Sequence, residues 1–147
     1  MSLTPDQLRK LLSKRITRGT VLRATIRFHK TGTVKPKFIV IASKDPATAD
    51  PLVFFITTSQ VDIYERIPQF RDNSVILPGL KVPFFPKKTA INCREIYEFP
   101  RDEVLDLVVK KEAAVVGDLP VDVLAQVDDI VRNSLLLSPA DIGKIVY

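Results

Sequence analysis

The chain has 147 residues, enough for one domain with a real hydrophobic core, and its 46% hydrophobic content argues against disorder. One histidine (His29), one cysteine (Cys93) and five scattered glycines exclude a structural zinc site, an internal disulfide and a phosphate-cradling glycine loop, so ATP- and NAD-dependent chemistry is not expected. Charge is split: the first 44 residues hold eleven Lys and Arg against one acid, Asp6, while the remainder is net acidic, a pattern suited to nucleic acid, an acidic protein or a membrane surface.

Thr4-Pro5-Asp6-Gln7 starts a helix, with Thr4 as cap, Pro5 in the first turn and Gln7 closing a capping box. Leu8, Leu11 and Leu12 then share a face, and Gly19 ends the segment. Residues 21–28 alternate: Leu22, Ala24, Ile26 and Phe28 on one side, Arg23, Thr25 and Arg27 on the other, which predicts a half-buried strand with a basic outer face. Residues 29–37 read as a loop broken by Gly32 and Pro36, followed by a buried apolar strand over 38–42. Further strands are expected over 52–57, 74–77, 88–92 and 113–116, with a short helix over 100–107. Asp118-Leu119-Pro120 opens the strongest helix, in which Val121, Leu124, Val127, Val131 and Leu135 recur at three and four residues through to Leu137. Ser138-Pro139-Ala140-Asp141 starts a last helical turn.

Short strands without alternating helices argue against a doubly wound parallel sheet. The expected fold is mostly β (α+β): a small, strongly bent antiparallel barrel with an N-terminal helix and a long C-terminal helix, its many prolines placed at edges and corners. No apolar run is long enough to span a bilayer, no hydrophobic leader follows the N-terminus, and no basic amphipathic helix carries aromatic anchors. With a lone cysteine, these features lead us to expect a cytoplasmic protein that does not bind membranes.

Three blocks then carry a family resemblance. They are Gly19-Thr20-Val21 leading through a basic loop to Phe38-Ile39-Val40-Ile41; Val53-Phe54-Phe55-Ile56-Thr57-Thr58-Ser59-Gln60; and Gly117-Asp118-Leu119 with Val127-Asp128 and Ser134-Leu135-Leu136-Leu137. In this order they resemble the PemK/MazF family of bacterial toxins, endoribonucleases with an SH3-like barrel. The resemblance implies a barrel domain over residues 19–147, leaving 1–18 as an N-terminal helical extension. It also implies a homodimer that binds single-stranded RNA, an acidic antitoxin covering the RNA groove, and no cofactor or metal.

In that family a 2′-OH attacks its own phosphate, an Arg before the second strand offsets the growing charge, and a Ser or Thr ending the third strand assists. Such chemistry needs a cation and a hydroxyl donor at the phosphate. By resemblance Thr57 is the hydroxyl residue. Lys35 or Lys37 stands for the cation, because this chain has Lys35-Pro36-Lys37 where the family has Arg-Pro. His29 suits proton transfer. Arg23, Arg27, Lys30, Thr58, Lys87 and Lys88 are the expected RNA contacts, and buried Cys93 is not a nucleophile. The alternative keeps the barrel without catalysis, as a nucleic-acid- or protein-binding module.

Overall fold

A computed structural model describes residues 3–27 and 34–146. Helix α1 (Pro5–Arg15) opens with the expected box: the Gln7 amide donates to Thr4 Oγ1 at 3.2 Å and the Thr4 amide to Gln7 Oε1 at 3.0 Å. Strands β1 (Thr20–Arg27), β2 (Val34–Ile41) and β3 (Leu52–Thr58) follow, then two short helices, α2 (Asp62–Arg66) and α3 (Pro68–Arg71). Next come β4 (Ser74–Leu77), β5 (Thr89–Phe99), α4 (Arg101–Val109), β6 (Ala113–Asp118), α5 (Val121–Arg132) and α6 (Pro139–Gly143). The fold is α+β. Its single sheet runs β4-β5-β3-β2-β1-β6, with every neighbouring pair antiparallel.

The apolar runs of β2 and β3 are continuous because both faces of the sheet are covered. On one face Val21, Val40, Val53, Phe55 and Ile91 pack under Val123, Val127 and Val131 of α5. On the other, Leu22, Ile39, Ile41, Leu52 and Phe54 pack with Val104 and Leu105 of α4 and with Leu12 and Ile16 from α1 and the turn after it. A closed barrel has one interior; this sheet has two cores. The hydrogen-bonded ladder of the described strands is accordingly open, ending at β4 and β6 instead of closing into the expected barrel.

Three expectations need correcting. The long C-terminal helix stops at Arg132, where Asn133 Nδ2 donates to the Asp129 carbonyl and the Ser134 hydroxyl accepts the amides of Leu136 and Leu137. That side-chain turn competes with helical hydrogen bonds and leaves Leu135 97% exposed, off the apolar face where periodicity put it. The loop expected over 29–37 ends early, since β2 begins at Val34. Residues 34–38 pair only with β1 (Ile26↔Lys35, Thr25↔Pro36), the β3 pairing starting at Ile39, and a proline is tolerated on such an unpaired flank. Finally β5 is more than twice as long as expected. A wide bulge splits it: Ile56 pairs with Asn92 and Phe54 with Tyr97, so residues 93–96 stand opposite Phe55 alone.

Much of the basic charge of the N-terminal segment meets acids within the fold. Arg9 pairs with Asp106, Arg18 with Asp128, and Arg15 grips Asp118 through two bonds of 3.1 and 3.0 Å. The Thr20 hydroxyl donates to the same Asp118 at 2.9 Å. Burial pushes the Asp118 carboxyl up, but the bonds from Arg15 and Thr20 outweigh it and hold the pKa below the ordinary value. Gly19 joins α1 to β1 with φ +90, and Leu124 of α5 lies 2.9 Å from where a side chain would begin, so only glycine fits.

Candidate functional site

The segment 78–88 between β4 and β5 lies over the end of β3. It carries Pro83-Phe84-Phe85-Pro86, whose prolines deny it ladder bonds, so it crosses the sheet as a strap. The Leu80 amide closes it by donating to the Phe85 carbonyl at 2.9 Å, and Lys81 ties it to Asp122 of α5 at 3.0 Å. Phe85 is buried, edge-on to Phe38 at 5.3 Å, and Phe84 leans on Phe85 at 4.8 Å. The Phe84 ring rests on Gly117 of β6, where a Cβ would stand only 2.5 Å from it.

A groove of about 390 Å³ opens beside this aromatic wall. Lys37, Thr57, Thr58 and Lys87 line it together with Phe38, Phe84 and Phe85. Four of the ten residues expected from sequence thus converge, drawn from β2, β3 and the strap. Lys88 is not among them: its Nζ binds Glu65 Oε2 of α2 at 2.8 Å. Arg23 is exposed on β1, in register with Phe38 and Ala114, and does not line the groove. Arg27 and Lys35 are placed by backbone register opposite Val34 and Ile26. His29 and Lys30 lie outside the described residues.

The two threonines differ in what their hydroxyls can do. Thr57 is 4% exposed and donates to the Phe38 carbonyl at 3.0 Å, so its proton holds β3 to β2. Thr58 Oγ1 instead accepts from the Gln60 amide at 3.1 Å, which leaves its own proton available to a ligand. Of the two, Thr58 therefore keeps the hydroxyl proton open to a ligand, whereas that of Thr57 is spent on the Phe38 carbonyl. The sequence resemblance gave Thr57 the assisting hydroxyl and Thr58 an RNA contact. It also passed over Phe84 and Phe85, although the Pro-Phe-Phe-Pro block was a visible signal of an aromatic segment kept out of the ladder.

Cys93 is fully buried, and its thiol donates only to the Ile91 carbonyl at a sulfur distance of 3.7 Å. Burial pushes the thiol up to about 12 from 9.0, so it is inert as a nucleophile near neutrality. Burial, then the hydrogen bond to Glu95 and that carboxylate's charge, push the Tyr97 phenol up to about 12 as well. Both groups keep protons in the folded state that the unfolded chain gives up at its lower values. Their stabilisation is whole below pH 9 and drains away as pH climbs from there to about 12. Urea unfolding midpoints should fall over that window, and Cys93→Ala should fall less steeply than the parent. Parallel slopes for the two proteins would contradict a buried, protonated thiol.

Among the described residues no three His, Cys, Asp or Glu side chains are grouped to hold a metal ion, and no helix is long and apolar enough to cross a membrane. No protein-family model matches the chain, and no curated protein matches it in sequence.

Proposed function

We propose that the groove binds single-stranded RNA and that the chain is a PemK/MazF-like endoribonuclease acting in the cytoplasm as a homodimer. The observation that carries the reading is the groove's lining, in which two lysines and a donor hydroxyl stand beside phenylalanine rings. Cations suit phosphates, and ring faces suit unstacked bases; single strands are held by that combination. The same cations would receive the tail of an acidic antitoxin.

In this mechanism the substrate's 2′-OH attacks the adjacent phosphorus and the bond to O5′ breaks, leaving a 2′,3′-cyclic phosphate and a 5′-OH. Lys37 offsets the charge that builds on the non-bridging oxygens, and Thr58 donates its free proton to one of them. Lys37 does so as a point charge, without the two-pronged geometry of a guanidinium. His29 is the group we assign to take the 2′-OH proton, and the departing O5′ takes its proton from solvent water.

A second reading has a specific observation behind it. Thr57, the hydroxyl expected to assist, is committed to the Phe38 carbonyl, as it would be in a groove that binds without cutting. Wild-type protein incubated with varied single-stranded RNAs in EDTA separates the two. The nuclease reading expects cyclic-phosphate ends, with cleavage reduced about a hundredfold or more in Lys37→Ala and substantially in Thr58→Val. RNA that is bound but left intact favours the binding module, and RNA that is neither bound nor cut removes the groove from consideration.

A further inference from the structure

The β5 bulge projects a second cationic feature, outside the groove. Arg94 sits within residues 93–96, its backbone amide donating to Asn92 Oδ1 at 3.0 Å. Its guanidinium lies 3.7 Å from the centre of the Phe70 ring of α3, and Phe70 in turn meets Tyr64 of α2 edge-on at 5.2 Å. No carboxylate pairs with Arg94 among the described residues, and its Nε is sealed from water with no hydrogen-bond partner. Arg9, Arg15 and Arg18 all have acids. Of the acids nearest in sequence, two are held by other cations, and Glu95 acts on the same tyrosines, Tyr64 and Tyr97, as Arg94 does. Glu95 accepts from the Tyr97 hydroxyl at 2.9 Å, Glu65 holds Lys88, and Asp72 faces Arg71.

A half-buried cation that has shed part of its water without gaining an anion is costly unless something supplies the negative charge. The aromatic ring beneath offsets some of that cost, and with Nε sealed the two terminal nitrogens are the donors left for an oxyanion. Tyr64 adds a donor. Burial raises its pKa, and the opposing charge of Arg94 does not undo this, so its hydroxyl keeps its proton at neutral pH. A planar guanidinium matches the oxygens of a phosphate.

We infer that Arg94, seated on Phe70 beside Tyr64, is a phosphate-binding subsite. A free phosphate and the phosphodiester of a nucleic acid present the same oxygens to it, and the subsite stands whether or not the groove cuts RNA.

The test titrates the full chain with inorganic phosphate and, separately, with a short deoxythymidine oligonucleotide, which nothing in the proposed mechanism can cleave. Binding is followed by calorimetry and by the NMR signal of the Arg94 Nε–H. With no tryptophan in the chain, tyrosine fluorescence offers a third readout. Arg94→Met retains a long side chain on the Phe70 ring and removes only the charge and donors. It is expected to lose at least tenfold in phosphate affinity while melting near the parent temperature; Arg94→Lys should fall between, and Tyr64→Phe should lose a few-fold. Tighter binding of the oligonucleotide than of phosphate identifies a nucleic-acid backbone as the source; the reverse order identifies a free phosphate. Lys14→Ala, which removes an exposed cation of α1 outside both sites, should leave inorganic phosphate binding unchanged, and loss of phosphate affinity in Arg94→Met with Lys37 intact keeps this subsite separable from the groove. Wild-type affinity in Arg94→Met, or an Arg94 Nε–H signal that neither probe shifts, overturns the inference. If Arg94→Met fails to fold, Arg94→Lys and the wild-type NMR titration decide the matter alone.

Discussion

Alanine at both Lys37 and Lys87 is expected to weaken single-stranded RNA binding by about ten- to a hundredfold near physiological salt. Each cation on a single-strand phosphate contributes about 0.7 to the slope of log affinity against log salt, so the double variant should lose about 1.4 of that slope. Both lysines line the groove. Lys88, one residue further on, is bound to Glu65 and supplies a matched control: Lys88→Ala should change affinity little. An unaltered salt slope in the double variant would mean that RNA, if bound at all, is held elsewhere.

Phe54→Ala is expected to destabilise the fold by about 3–5 kcal/mol, the range for emptying a buried aromatic site. Against a typical total of about 5–15 kcal/mol, this removes a large share of stability. Phe54 is fully buried at the centre of the sheet, stacked with Tyr97 at 5.9 Å and edge-on to Phe99 at 5.4 Å. Its truncation leaves a cavity under α4 and removes the ring that holds the far end of the β5 bulge. Chemical unfolding measures the loss directly; a cost below about 1 kcal/mol would show that the second core is not packed as described.

Elements governed by local chemistry were legible in the sequence. The capping box of Thr4 and Gln7, the strand over Ser74–Leu77 and the Ser138 cap of α6 all stand where residue types alone placed them. The α2–α3 pair was not, because four- and five-residue helices are too short to develop a period. Periodicity also carried α5 past Arg132, since Leu135 fits the spacing and only the Ser134 turn removes it.

For the site, the end of β3 was readable from its apolar run closing in hydroxyl residues. The strap was not, since Phe84 and Lys87 reach Lys37 through a connection whose path depends on α5 and β6. Nor were the different hydrogen bonds of Thr57 and Thr58, which rest on which backbone group each hydroxyl meets. The charge split misled in one respect. It pointed the whole N-terminal charge toward an anionic partner, yet three of its arginines answer acids roughly a hundred residues away in the chain itself.

Those distant pairings order events during synthesis. Arg15 and Arg18 are separated from Asp118 and Asp128 by 103 and 110 residues, and β1 waits for β6 across a similar span. A chain emerging from the ribosome therefore presents its arginine-rich opening long before the acids that will neutralise it exist. Contacts of such separation close slowly, because a long loop must be ordered first. Until β6 has been translated, β1 remains an edge strand bearing unpaired cations beside the nucleic acid of the translation machinery.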